Sequence, residues 1–314
     1  MSVAAIDTGR TTERLSAFLS KVNETEPVDN FYVDLPTINE VLKSKELIDG
    51  GRQSMIPLDT ARNTTITSFT GYDTFNTSPQ DTVRTAVYAL INYGGTATIS
   101  WEEMRETANS DVRVYDLVKQ KRNGTLKSMK DTINTALYAA APGANDILPL
   151  PSLISTTASA GGIAAGGYWV SQEVTSVGAF SVNGMTQMRA LWNNIVRQGQ
   201  GSPDISSTTQ SIFQSYEASQ DVDVRYSNPD DLARGALKLT FKGKPLIFDA
   251  ATTTGHLYMW NREWLKLYVD TDGNFAFDKF IEPANQKVYT AKLVFRGQLT
   301  TSNRRANGRL TGLT

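Results

Sequence analysis

Eight threonines fall within the 23 positions from Thr60 to Thr82, and Asn63, Ser68 and Asn76 add to the polar character of the stretch. Threonine's branched side chain favours extended backbone but buries little surface. Directly afterwards Val83, Thr85, Val87, Ala89, Ile91 and Tyr93 alternate with Arg84, Ala86, Tyr88, Leu90 and Asn92, which is the period of a strand. The pattern predicts a long polar hairpin within residues 52–99. Its tip is expected at Asn76–Gln80 and its close at Gly94-Gly95. An isolated two-stranded ribbon is marginal in water. This one has no obvious core of its own, so it needs a surface to lie on, and in a chain of 314 residues that surface can belong to another copy.

The rest of the chain reads as mixed α and β. A short helix is expected over residues 11–25 and another from Thr37 to Glu46, ended by Gly50-Gly51. Ser100-Trp101-Glu102-Glu103 has the form of a capping box. Asn109-Ser110-Asp111 is a second start signal. From there a long helical pattern runs to about Ala140, with Val118, Leu126, Met129, Ile133 and Leu137 on one face and Gly124 as its weak point. Residues 141–175 are rich in Gly, Ala and Ser and read as a flexible connection. Helices follow over Met185–Gln198 and Gln210–Ser219. The remainder is β-rich: short strands at 237–241, 246–248, 257–260 and 265–269 lead to a long one from Val288 to Leu299. Asp272-Gly273 is expected to join 265–269 to 275–280 as a hairpin.

Composition excludes much chemistry. There is no cysteine, so thiol nucleophiles, zinc–thiolate sites and disulfides are out. The single histidine, His256, rules out a histidine-rich metal site and has no Gly-x-Ser-x-Gly elbow to partner it. Gly161–Gly167 lacks the Lys-Ser/Thr of a phosphate loop. Asp270–Asn274 lacks the twelfth-position glutamate of a calcium loop, which here is Ile281. Asp221, Asp223, Asp230 and Asp231 read as a solvated acidic loop. With 31 basic and 32 acidic side chains the formal net charge is −1, unlike a dedicated nucleic-acid binder. No secretory signal or membrane span is recognisable, and no catalytic residue, cofactor or metal is expected. The segment Arg296–Thr314 has four arginines and no acid. Arg304, Arg305 and Arg309 there are candidates for phosphate contact, for contact with a neighbouring subunit, or for a solvated end.

The order of these elements resembles the major capsid proteins of tailed bacteriophages, the HK97-like fold. Five stretches carry the likeness: Ile99–Arg105, Tyr115–Lys119, Gly184–Asn194, Phe241–Asp249 and Thr300–Arg305. They lie in order within a resemblance covering roughly residues 30–312. The resemblance implies an α+β fold with an N-terminal arm over 1–45 and an extended β-hairpin loop over 46–100. It implies a peripheral domain from 101–150 plus 270–305, built on a spine helix at about 111–140. An axial domain over 151–269 and a C-terminal tail over 306–314 complete it. The implied function is that of a non-enzymatic shell subunit. It would assemble with itself as pentamers and hexamers into an icosahedral head around double-stranded DNA, in the host bacterial cytoplasm. The partners implied are neighbouring capsomers through the N-arm and loop, a portal, and possible scaffolding or decoration proteins. Packaged DNA would be met by non-specific contact, and no membrane is involved. Arg52, Arg62, Arg84, Arg304, Arg305 and Arg309 are the candidate inter-subunit or DNA-facing residues. Between Lys45 and Lys119 there is no lysine, so a lysine cross-link from the loop, as in some members of that family, is not expected. Two alternatives stand beside this reading. One is an encapsulin-type nanocompartment; the other is a soluble hydrolase or carbohydrate-binding domain using the carboxylates of 200–231.

Overall fold

The structure is a computed structural model that describes residues 35–107, 111–220, 239–283 and 285–314. The expected helix at 11–25, the start signal at Asn109-Ser110 and the four aspartates between 221 and 231 lie outside the described residues. The chain divides into two compact units. One includes Tyr93–Asp131 and Phe275–Phe295; the other includes Asp34–Asn92, Thr132–Asn274 and Arg296–Thr314.

In the first unit, strand β4 of the chain (Ile91–Ser100) leads straight into a short helix α2, Trp101–Thr107. The capping box forms as its sequence predicts. The Glu103 N–H donates to Ser100 Oγ at 3.1 Å, and the Ser100 N–H donates to Glu103 Oε2 at 3.1 Å. The long helix α3 spans Asp111–Leu137, 27 residues and about 40 Å at 1.5 Å per residue. It ends three residues before the expected Ala140. Gly94-Gly95 does not close the ribbon but sits within β4, because the strand passes close to α3. A Cβ on Gly95 would lie 3.2 Å from Thr125 Cγ2 and 3.5 Å from Met129 Cε. Strand β12 (Val288–Thr301) pairs with β4 and, through Leu293 and Val294, with β11 (Ala276–Phe277). Phe275 and Phe295 pack at 4.7 Å, and the Arg122 guanidinium lies 4.7 Å from the Phe277 ring.

Gly124 stays helical, and nothing lies within 4 Å of a Cβ placed on it. Glycine in a helix interior costs about 1 kcal/mol relative to alanine. Gly124→Ala should therefore raise stability by about that amount, read as a higher urea midpoint with unchanged slope.

The second unit is built on a six-stranded sheet. Its strands are β5 (Gln172–Val174), β6 (Ile205–Thr208), β7 (Thr240–Phe241), β8 (Lys244–Phe248), β9 (Leu257–Trp260) and β13 (Gly308–Leu310), in the order β5-β13-β9-β6-β8-β7. All residues of β6 and β9 are buried, and alternation assigns their two faces. Leu257 and Met259 join a cluster with Met188, Leu191, Trp192 and Ile195 of helix α5 (Met185–Gly199) and Ile212, Phe213 and Tyr216 of helix α6 (Gln210–Gln220). Tyr258 and Ser207 face the other way, toward Tyr138. The Tyr138 hydroxyl donates to Ser207 Oγ at 2.9 Å and shares a 2.9 Å hydrogen bond with Thr37 Oγ1.

Thr37 belongs to helix α1 (Pro36–Lys43), which starts on Pro36 and stops earlier than expected. It stops because Lys45–Ile48, strand β1, instead pairs in parallel with Leu267–Asp270 of β10 (Leu265–Asp270). Asp249, 2% exposed, ties these parts together. Its carboxylate accepts from Thr37 N–H, Asn134 Nδ2 and Ala251 N–H. A buried carboxylate with that many donors is a satisfied one.

Asp272-Gly273 does not make the expected two-residue hairpin. Thr271–Gly273 is a single 3-10 turn in which the Asp272 N–H is capped by the Asp270 carboxylate. Strand β10 pairs with β1 and with the later part of β12 rather than with 275–280. The turn is pressed onto β12: a Cβ on Gly273 would lie 2.6 Å from Arg296 Cβ.

Candidate functional site

The polar hairpin exists, but its strands are shorter than the alternation implied. Strand β2 (Gln53–Asp59) pairs antiparallel with β3 (Val83–Ala89), from Gln53 opposite Ala89 to Asp59 opposite Val83. The alternating run does not continue through Tyr93 as one strand. It breaks at Leu90, whose N–H bonds to Arg52 O at 3.1 Å, and resumes as β4. The threonine-rich residues 60–82 are not a strand. Threonine's preference for extended backbone needs a paired neighbour to act on, and β3 already has β2.

The 23-residue connection nevertheless folds back on itself in nested steps. The Thr60 N–H bonds to Thr82 O at 2.7 Å, Thr64 Oγ1 donates to Gln80 Oε1 at 2.8 Å, and the Asp73 N–H bonds to Thr70 O at 3.1 Å. Between the last two steps Phe69 packs edge-on against Phe75 at 4.9 Å. These pairs share one midpoint, near Gly71-Tyr72, where Gly71 has φ +52°. The reversal is therefore at Thr70–Asp73 and not at Asn76–Gln80. Asn76 instead makes a local turn on the return limb, accepting from the Ser78 N–H at 3.0 Å, and Asn63 does the same for Thr65 at 2.8 Å on the outward limb.

The connection carries large apolar groups in water. Ile66 is 82% exposed, Phe69 61%, Phe75 62%, and Tyr72 is fully exposed. Scattered exposed apolar residues are ordinary. Four within ten positions, on a projecting segment with no core of its own, form a surface suited to a partner.

Three side chains of the ribbon are buried, Leu58 on β2 and Ala86 and Tyr88 on β3, and only the last two are seen bound to a seat. Ala86 and Tyr88 are 0% and 1% exposed. The Val87 N–H donates to Gly161 O at 2.9 Å, Tyr88 Oη donates to Thr301 O at 2.8 Å, and Gln298 Nε2 donates to Ala89 O at 3.0 Å. Burial pushes the Tyr88 hydroxyl far above the usual tyrosine range, against the opposing pull of its bond to Thr301 and of the Arg304 charge.

The six arginines separate into two groups. Arg52, Arg62 and Arg84 are exposed, on the ribbon or at its base. The other three are engaged within the protomer. Arg304 is fully buried. Its Nε donates to Leu153 O, Nη1 to Ala158 O and Trp169 O, and Nη2 to Ser152 O and Ser155 O, at 2.8–3.2 Å. A guanidinium has five N–H groups, and all five are used, so none remains for a phosphate or a neighbour. Burial draws its pKa down to about 10, so it stays charged at neutral pH. Arg309 donates to Glu173 Oε1 through Nε at 2.8 Å and to Pro151 O through Nη1 at 3.0 Å. Burial works to raise the Glu173 pKa, but hydrogen bonds from Thr156 and Arg309 outweigh it and hold the carboxyl below its usual range. Arg305 Nη2 donates to Gly167 O at 2.9 Å.

Arg304 corrects a second expectation. Residues 152–169 are not a loose spacer: their carbonyls converge on one guanidinium. Trp169 Nε1 donates to Ala160 O at 2.9 Å, and Ala160 and Ile163 bond each other's backbone at 3.1 Å. Sequence reasoning missed this site. The available signal was negative: a long segment without regular structure must place its backbone carbonyls somewhere, and a buried arginine is an efficient taker.

His256 is half-buried and its Nδ1 lies 2.9 Å from Tyr258 Oη. Burial, with Arg309 nearby, lowers its pKa, and the charge of Glu173 opposes them. Among the described residues no group of three or more His, Asp or Glu is placed to hold a metal, and no helix is long and apolar enough to cross a membrane.

No family model matches the chain, and no curated protein matches it in sequence. Solved structures match it in shape. The capsid protein of cyanophage A-1(L) aligns over 93% of this chain and 96% of its own, with TM-score 0.66 and 13% identity. The capsid of an empty GTA particle aligns over all of both chains, with TM-score 0.66 and 12% identity. The SrpI encapsulin of Synechococcus elongatus PCC 7942 aligns over 99% of this chain and 96% of its own, with TM-score 0.58 and 10% identity. The chain has the HK97-like capsid fold.

Proposed function

We propose that this chain is the repeating subunit of a closed icosahedral shell, the major capsid protein of a tailed phage, with no catalytic activity. The observation that carries this is the ribbon. It is a rooted projection ending in exposed Ile66, Phe69, Tyr72 and Phe75, on a fold shared with capsid subunits. Contacts repeated over many copies hold a shell together even when each is weak, and arms enlarge the buried area per subunit without a larger core. In this reading residues 46–100 are the extended loop that lies across a neighbour. The unit holding 93–131 and 275–295 supplies the peripheral domain, and the six-stranded sheet with α5 and α6 supplies the axial domain. Pentamers and hexamers form from the same chain. Arg52, Arg62 and Arg84 meet the neighbouring subunit or the packaged double-stranded DNA, and a portal with scaffolding or decoration proteins completes the head in the host cytoplasm. A net charge of −1 limits repulsion between the copies.

The likeness to an encapsulin supports a second reading, a shell that packs protein cargo. Negative-stain microscopy of the expressed protein, with assay of particle contents, tests both. Closed particles carrying nucleic acid are expected. Particles carrying one enzyme and no genome favour the second reading, and a monodisperse 34.5 kDa species under all conditions overturns both.

A further inference from the structure

The cradle around Arg304 and the root of the ribbon are one construction. The five carbonyls that Arg304 holds lie between Ser152 and Trp169. The same segment presents Gly161, whose carbonyl takes the Val87 N–H. Gly161 has φ +59°, and a Cβ there would lie 2.7 Å from Ala86 Cβ and 3.0 Å from the Tyr88 ring. Glycine is thus required twice at this point, for its backbone and for its closeness to the ribbon. The other two anchors, Thr301 O for Tyr88 and Gln298 for Ala89, stand on β12 a few residues before Arg304.

We propose that Arg304 is a positioning residue for assembly. By gathering the carbonyls of 152–169 it fixes the Gly161 seat under Ala86 and Tyr88, and so sets the direction in which the ribbon presents residues 60–82. This rests on the shell reading. Apart from Leu58, the ribbon's buried side chains are Ala86 and Tyr88 on this seat, and none of residues 60–82 is buried, so the seating of the strands determines where their end goes. Seven residues of strand reach about 23 Å, so a tilt of about 10° at the base moves the far end by about 4 Å, close to one strand spacing. A displacement of that size takes apolar side chains out of a matching surface. Lysine does not replace arginine here, because three donors on a flexible stem cannot hold five carbonyls in a plane.

Three full-length variants test this: Arg304→Lys, Arg304→Met and Gly161→Ala. Gly161→Ala disturbs the seat without touching the guanidinium, so it decides the matter if the Arg304 variants fail to fold. Amide hydrogen exchange is read at 83–89, with 205–208 and 257–260 as internal references, and particle formation is scored by microscopy. Exchange at 83–89 should rise about tenfold or more with the references unchanged, as local opening does, and regular particles should be lost. Unchanged exchange at 83–89, an equal rise in the reference strands, or normal particles despite a loosened root would each overturn the proposal. If the unmodified protein forms no particles, the shell reading fails, and the exchange comparison still decides whether Arg304 controls the root.

Discussion

Replacing Ile66, Phe69 and Phe75 together by serine should abolish assembly while leaving the protomer folded. All three are mostly exposed in the protomer, so their loss removes almost nothing from its own core. Phe69 and Phe75 pack on each other, a contact worth about 1 kcal/mol and confined to the loop. Against a neighbour the account reverses. Burying a large apolar side chain contributes about 1.5–3 kcal/mol, so three of them contribute on the order of 5 kcal/mol at each subunit contact. At about 1.4 kcal/mol per decade, the concentration needed for assembly should rise by more than about a thousandfold. Light scattering across a concentration series gives that number, and circular dichroism of the soluble variant shows whether the protomer is intact. Particles forming at the unmodified concentration would remove the loop from the assembly contact.

Deleting residues 308–314 should unfold the second unit altogether. The segment is short, but β13 stands between β5 and β9 and, among the described residues, is the only strand that β5 pairs with. Leu310 and Leu313 are 0% and 4% exposed. The α5 helix also packs directly on the segment, since a Cβ on Gly308 would lie 2.7 Å from Leu191 Cδ1 and 2.9 Å from Ile195 Cδ1. Beyond the ladder, residues 311–314 exchange six backbone hydrogen bonds with 174–180 and Gly255. Two buried leucines at about 2–5 kcal/mol each, with six bonds at about 1 kcal/mol each, come to about 10–16 kcal/mol. That is as large as the whole stability of a typical domain. The deleted protein should be insoluble or lose its cooperative transition, whereas Leu310→Ala should cost about 2–5 kcal/mol and still fold. A cooperative transition in the deletion variant would contradict the central place of β13.

Much of this architecture was legible in the sequence where the determining interactions are local. The Ser100–Glu103 capping box, the long helix up to its last turn, and the helices at 185–199 and 210–220 follow from spacing and caps that lie within a turn or two. What was misread depends on partners far along the chain. Alternation over 83–93 identifies faces but not a neighbour, so it could not show that β3 pairs with 53–59 and β4 with β12. Asp272-Gly273 has hairpin chemistry, yet β10 takes other partners. The candidate arginines fared unevenly for the same reason. Exposed Arg52, Arg62 and Arg84 behave as charged surface residues should, whereas Arg304 is captured by carbonyls about 150 residues earlier, which no local pattern records.

The place of β13 has a consequence for how the protein is made. Among the described residues every other strand of its sheet precedes it, and β5 has no partner until it arrives. Likewise β1 waits for β10, more than two hundred residues downstream. Pairing over such separations is slow, and the waiting edges are open to association meanwhile. A nascent chain therefore cannot close its sheet while the ribosome still holds residues 308–310. Prematurely terminated chains never acquire a closed sheet, so the order of synthesis itself screens which molecules are available to be built into a larger structure.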